Sequence, residues 1–132
     1  MKEKDREALA RYRIQRARET FDEVSILIEN GLWNTAVNRL YYASYYAVIA
    51  LLIKHEINTN THAGVRQMFG LHFVKTGIVD KELGKFYSSI FTMRQNGDYE
   101  DYFEFSEEEV LAWLEPADEL INKIEELLKV NE

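Results

Sequence analysis

Arg94 is the residue of this 132-residue chain whose placement most calls for a chemical explanation. It follows Leu83, Phe86, Tyr87, Ile90 and Phe91, and at 100° per residue it falls in the middle of their apolar stripe. A permanent cation at such a position is either paired inside a bundle or aimed into a site or interface at the helix end. Asp98, Tyr99, Asp101 and Tyr102 follow it closely. Arginine suits a phosphate, held through two parallel hydrogen bonds, and tyrosine can stack on a base or act as a weak acid. A second constellation is Asn38, Arg39, Tyr42 and Tyr46. Arg39 lies one helical turn from Tyr42 and two from Tyr46, within range of cation–π contact. Beside this stands a plain structural reading, in which Arg39 braces the end of a bundle and the tyrosines pack.

The common catalytic kits are missing. The chain has no cysteine and no glycine-rich phosphate loop. His55, His62 and His72 do not fall at metal-binding spacing with nearby carboxylates, and there is no Glu-x-x-His pair. No metal and no cofactor are expected. His62 reads as a helix-start or core histidine, with a pocket-facing role as the alternative. His72 falls on the apolar side of its helix and reads as structural.

The elements that must position these groups are helical throughout. Residues 38–53, NRLYYASYYAVIALLI, form the stretch around which the others pack. Tyr41-Tyr42 and Tyr45-Tyr46 become two i,i+4 stacks on a helix. Its run of 14 residues from Leu40 to Ile53 is too short to span a bilayer and suits a buried core helix. This second helix is predicted over 32–55. A first helix over 4–29 carries a narrow seam of Ala10, Ile14, Ala17, Phe21, Val24 and Ile28, and ends at Asn30-Gly31. The very short turn makes the two antiparallel.

A third helix is predicted over 62–75, N-capped by Thr61, with Val65, Met68, Phe69, His72 and Phe73 toward the core. A fourth is predicted over 81–93. Asn96-Gly97 signals a turn inside an aromatic loop over 94–105. A fifth helix opens with Ser106 and Glu109, a capping box, and Pro116 is predicted to kink or split it near Trp113. Antiparallel packing of helices one and five would set Arg11 near Glu125 and Arg18 near Asp118.

Composition sets the outer bounds. Hydrophobic content of 46% with 30% charged residues is ordinary for one soluble domain spanning residues 1–132. The first residues show no signal-peptide pattern, and the absence of cysteine fits a cytoplasmic protein. A formal charge of −7 argues against broad electrostatic binding of nucleic acid, though a local site can still bind it. Residues 1–18 are strongly basic and residues 98–132 strongly acidic. The ends either neutralise each other by packing or leave a basic face for RNA or an acidic partner.

Four segments in order carry a resemblance. They are Asn38-Arg39-x-Tyr41-Tyr42-Ala43, Tyr46-Ala47-x-x-Ala50-Leu51-Leu52, Thr61-His62-x-Gly64-Val65 and Arg94-x-x-x-Asp98-Tyr99. With five helices, the chain resembles the HEPN domain family over nearly its whole length. The resemblance implies an all-α up-and-down bundle, a homodimer and a minimal nucleotidyltransferase partner in a two-gene toxin–antitoxin or defence-like pair. Many members carry an Arg-x4–6-His motif that cleaves RNA without metal, and some are modified by AMP on a tyrosine just after it. Here Tyr99 stands where the histidine is expected, and its ordinary pKa of about 10 makes it a poor base. The arginine carries over and the histidine's role does not.

The expected function is therefore binding of nucleotide or RNA phosphate. Arg94, Arg39, Asn38, Tyr42, Tyr46 and Asp98 would form the site, and Tyr102 is the candidate for modification. One alternative is a metal-independent endoribonuclease using Arg94 and Tyr99. Another is a purely structural homodimer. No membrane is expected as a partner.

Overall fold

A computed structural model describes residues 2–99 and 103–129, with Tyr99 described by its backbone alone. Tyr102, Asp101 and Glu100 lie outside the described residues, as does the side chain of Tyr99. Five helices follow in order: α1 (Glu3–Glu29), α2 (Trp33–Lys54), α3 (His62–Phe69), α4 (Lys81–Tyr99) and α5 (Glu107–Lys129). No strand occurs among the described residues.

The all-α bundle is built around α2, which packs against every other helix. Its apolar residues run almost all the way round, so its burial needs neighbours on several sides. Leu40, Tyr41, Ala43, Ala47, Val48 and Leu51 are wholly shielded from solvent. Its only buried hydroxyl outside the tyrosines, that of Ser44, donates back to the Leu40 carbonyl at 2.9 Å. By length and composition α2 could cross a membrane, but 61% of its most apolar window is covered by the other helices.

Local signals set three of the helix ends. Gly31 takes φ +67, and Leu32 N–H closes onto the Leu27 carbonyl at 2.9 Å, ending α1 and turning the chain back. Thr61 caps α3 by accepting from Gly64 N–H at 2.9 Å. Ser106 Oγ accepts from Glu109 N–H at 3.1 Å, and Glu109 Oε1 accepts from Ser106 N–H at 3.0 Å, completing the box at the start of α5. α5 then runs unbroken through Pro116, so the expected split near Trp113 does not occur.

The chain ends meet as antiparallel packing requires. Arg18 on α1 reaches Asp118 (2.6 Å), Asn122 (2.6 Å) and Glu125 (3.3 Å) on α5. Arg11 lines a groove with Glu125, whose carboxylate is taken by Arg18. Lys54, at the end of α2, donates to the carbonyls of Leu128 (2.5 Å) and Leu127 (3.4 Å). The C-terminal turn of α5 thereby gains a cation where its carbonyls need one.

Two further expectations fail, each for a visible reason. α4 does not stop at Met93; it continues to Tyr99. Gly97 lies inside the helix because the Phe105 ring packs over it: a Cβ there would come within 2.6 Å of Phe105 Cε2. Asn34 holds the returning segment in place, donating to the Phe103 carbonyl (2.8 Å) and accepting from Phe105 N–H (2.9 Å). Gly97→Ala should therefore lower stability despite alanine's better helix propensity. A melting temperature raised by this substitution would show that Phe105 does not press on α4.

His72 is the second failure. α3 passes into a π-helical turn, Gly70–Val74, with Lys75 N–H bonded to the Gly70 carbonyl at 2.8 Å. The longer i→i+5 repeat shifts the register. Phe73 stays buried while His72 turns to solvent.

Candidate functional site

The extra turn of α4 carries Arg94 and Asp98 alongside the first half of α2. Arg94 is 8% exposed. Its guanidinium lies 4.8 Å from the Tyr41 ring centroid and 5.8 Å from that of Tyr42. Nη1 donates to Asp98 Oδ2 at 3.3 Å, while the buried Nε has no hydrogen-bond partner among the described residues. The ring faces offset part of the charge's desolvation, and the unmet Nε is a standing cost.

Asp98 joins the two helices. Asn38 Nδ2 donates to its carboxylate at 3.3 and 3.5 Å. The other end of that amide, Asn38 Oδ1, accepts from Arg39 Nε (3.3 Å) and Nη2 (3.1 Å). Arg39 in turn sits 5.1 Å over the Tyr42 ring. Four of the residues singled out from the sequence therefore form one chain of polar contacts: Arg94, Asp98, Asn38 and Arg39. Tyr42 is the common aromatic wall. Tyr46 is one turn on, 6.0 Å from Tyr42 between centroids, and meets Arg16 of α1 rather than Arg94. Tyr99 ends α4, five residues beyond Arg94.

Sequence reasoning left Tyr41 and His62 outside the site, and the structure puts both in it. The Tyr41 hydroxyl lies 2.7 Å from His62 Nδ1. The imidazole stacks on Tyr45 at 4.2 Å with the planes 4° apart. His62 thus opens α3 with both its ring face and one nitrogen held by α2. The paired tyrosines at i and i+4 were the available signal. The reach of His62 across a loop from residue 41 has no counterpart in local spacing.

Burial pushes the Tyr41 phenol well up, against the opposing pull of Arg94, so it stays protonated. Burial first and the Arg94 charge second push His62 below the ordinary 6.5, so its imidazole is neutral at pH 7. Burial, with Lys54, lowers His55 in the same sense. The unfolded chain takes up these protons near pH 6.5 while the folded one resists them. Stability should therefore be full above pH 6.5 and fall as pH drops through the lowered folded values. Urea unfolding at pH 7.5 and pH 5.5 should show a smaller loss in His62→Gln than in wild type, with the remainder due in part to His55. Equal losses would remove His62 from the acid sensitivity.

The arrangement is a fixed cation beside a neutral imidazole and an amide, walled by tyrosines, which suits an anionic group with an attached planar ring. Among the described residues no three His, Asp or Glu side chains converge as a metal site would need.

Residues 10–127 of this five-helix bundle match the HEPN domain, and the chain belongs to that family. It is 42% identical to a UPF0332 protein of Thermotoga maritima over 95% of both chains. Two proteins of Methanocaldococcus jannaschii, each named "putative toxin", are also similar. One is 34% identical over 88% of this chain and 86% of its own length. The other is 33% identical over 87% and 78%.

Proposed function

We propose that this chain is the HEPN component of a toxin–antitoxin or defence-like pair, and that it binds the phosphate of RNA or a nucleotide at Arg94. The pair reading draws on the two relatives named as toxins. The observation that carries the binding reading is Asp98. Its carboxylate lies between Arg94 and Asn38, where an incoming phosphate would find the same two donors, and Arg39 is bonded to Asn38. The carboxylate acts as an internal placeholder that a ligand phosphate displaces. Tyr42 supplies a face on which a base can stack. The protein works in the cytoplasm as a homodimer built from the ends of α2 and α4 and the stretch after Arg94, beside a minimal nucleotidyltransferase that can act on Tyr102.

The placeholder reading has a distinctive sign. Asp98→Asn keeps the shape, removes a negative charge and frees Arg94. It should tighten binding of a fluorescent single-stranded RNA by roughly three- to tenfold, the effect of about 1 kcal/mol. Weaker binding by Asp98→Asn would mean that Asp98 orders the site rather than fills it.

RNA cleavage is a second reading, favoured by one observation: neutral His62 anchored through Nδ1 beside the Arg94 charge. In it His62 accepts the 2′-hydroxyl proton in place of Tyr99. The same RNA run on a denaturing gel after incubation separates the readings. A product ending in a 2′,3′-cyclic phosphate that vanishes in His62→Gln selects cleavage, and intact RNA selects binding alone.

A further inference from the structure

Four arginines of α1 divide into two sets. Arg18 is spent on α5 and Arg6 pairs with Glu56 at 2.8 Å. Arg13 and Arg16 turn instead toward the tyrosine side of α2. Arg16 sits 5.8 Å from the Tyr46 ring, with Glu19 3.7 Å from its Nη1. Arg13 sits 5.7 Å from the ring of Tyr12, which is 53% exposed.

Arg13 also has a buried Nε with no hydrogen-bond partner among the described residues. It lines an open groove of about 540 Å³. The floor is apolar, from Ile49, Leu52 and Ile53, and the far wall is polar, from Asn58, Thr59 and Asn60. Among the described residues no carboxylate lines it, in a chain whose formal charge is −7.

Between the Arg94 site and Ile49 of this groove, α2 carries aromatic rings. Tyr42 and Tyr46 are 6.0 Å apart, as are Tyr42 and Tyr45. Arg39, Tyr42, Tyr46 and Arg16 follow one another in contact across α2 to α1. From Tyr42 to Ile49 the helix axis advances about 10 Å. One phosphate cannot occupy both ends of this path; a short strand of nucleotides can. Alternating arginine and aromatic side chains are what a single strand uses, its phosphates on the cations and its bases on the rings.

We infer that the Arg13 groove is a second phosphate subsite, and that the ligand of this protein is single-stranded RNA several nucleotides long rather than a mononucleotide. The inference rests on the phosphate-binding reading of Arg94 and specifies the ligand for it.

The test measures uridine monophosphate and octauridylate on the full-length protein, in wild type, Arg13→Gln, Arg16→Gln and Arg94→Met. Arg11→Gln serves as a control of equal charge loss on the same helix, and thermal melts confirm folding. Wild type should prefer the octamer at least tenfold. That preference should fall about fivefold in Arg13→Gln and less in Arg16→Gln, and persist in Arg11→Gln. The dependence of log affinity on log salt for the octamer should flatten by about 0.7 in Arg13→Gln, as loss of one phosphate contact requires. An equal octamer preference and salt slope in Arg13→Gln and wild type would overturn the second subsite. So would absence of any octamer preference in wild type. Indifference of both ligands to Arg94→Met would instead overturn the site on which the inference rests.

Discussion

Replacing Arg94 with methionine should weaken RNA binding by about ten- to a hundredfold while leaving the fold as stable as before or more so. The two halves of this expectation come from different physics. Charge-assisted hydrogen bonds contribute roughly 1.5–3 kcal/mol each, which sets the loss of affinity. Stability moves the other way. Arg94 is 8% exposed, lies on the apolar side of α4 with Tyr87, Ile90 and Phe91, and keeps a buried Nε without a partner among the described residues. An unbranched apolar side chain of similar length can fill that place without the desolvation cost. Asp98 would lose Arg94 but keep Asn38 and its access to water. Anisotropy titration and a melting curve on the same sample check both halves. A variant that binds RNA normally but melts well below wild type would make Arg94 a structural brace.

Tyr41→Ala should cost about 3–5 kcal/mol of stability, as removal of a wholly buried aromatic ring does. Tyr41 is 0% exposed and touches Arg94, Tyr42 and His62 at once. Its ring stacks with Tyr45 at 5.8 Å and Tyr87 at 6.2 Å, meets Phe91 edge-on at 6.0 Å and carries Arg94 on its face. Its hydroxyl holds His62. Against a total of about 5–15 kcal/mol for a typical domain, such a loss is a large share. Tyr41→Phe isolates the hydroxyl and should cost only about 0.5–1.5 kcal/mol. Urea unfolding of the two variants gives both values. A loss below about 1 kcal/mol for Tyr41→Ala would show that the rings around it close over the gap and that Tyr41 is not the keystone.

These expectations also show where sequence reading succeeds and where it stops. The bundle was legible because α1 and α5 carry sustained helical seams, α2 carries a long apolar run, and Gly31, Thr61 and Ser106 mark helix ends. The facing of Arg18 and Asp118 followed from antiparallel seams alone. α4 was read short because Asn96-Gly97 has two meanings. Glycine serves a turn, or it serves a close approach, and only the Phe105 ring above Gly97 decides between them. His72 was misplaced because nothing in local spacing announces the π turn at Gly70–Val74. Arg94 stood out because it breaks its own apolar stripe, and the structure sets it beside the first half of α2. His62 did not stand out, because its tie to Tyr41 depends on how the loop between α2 and α3 returns.

Photocrosslinking of a 4-thiouridine-substituted RNA, followed by digestion and mass spectrometry, tests the central claim most directly. Trypsin releases the tyrosine-rich part of α2 from Leu40 to Lys54 as one peptide. The account predicts crosslinks concentrated in that peptide, on Tyr42 and Tyr46, and sharply reduced in Arg94→Met. Crosslinks confined to α5 or to the exposed face of α4, unchanged in Arg94→Met, would contradict it.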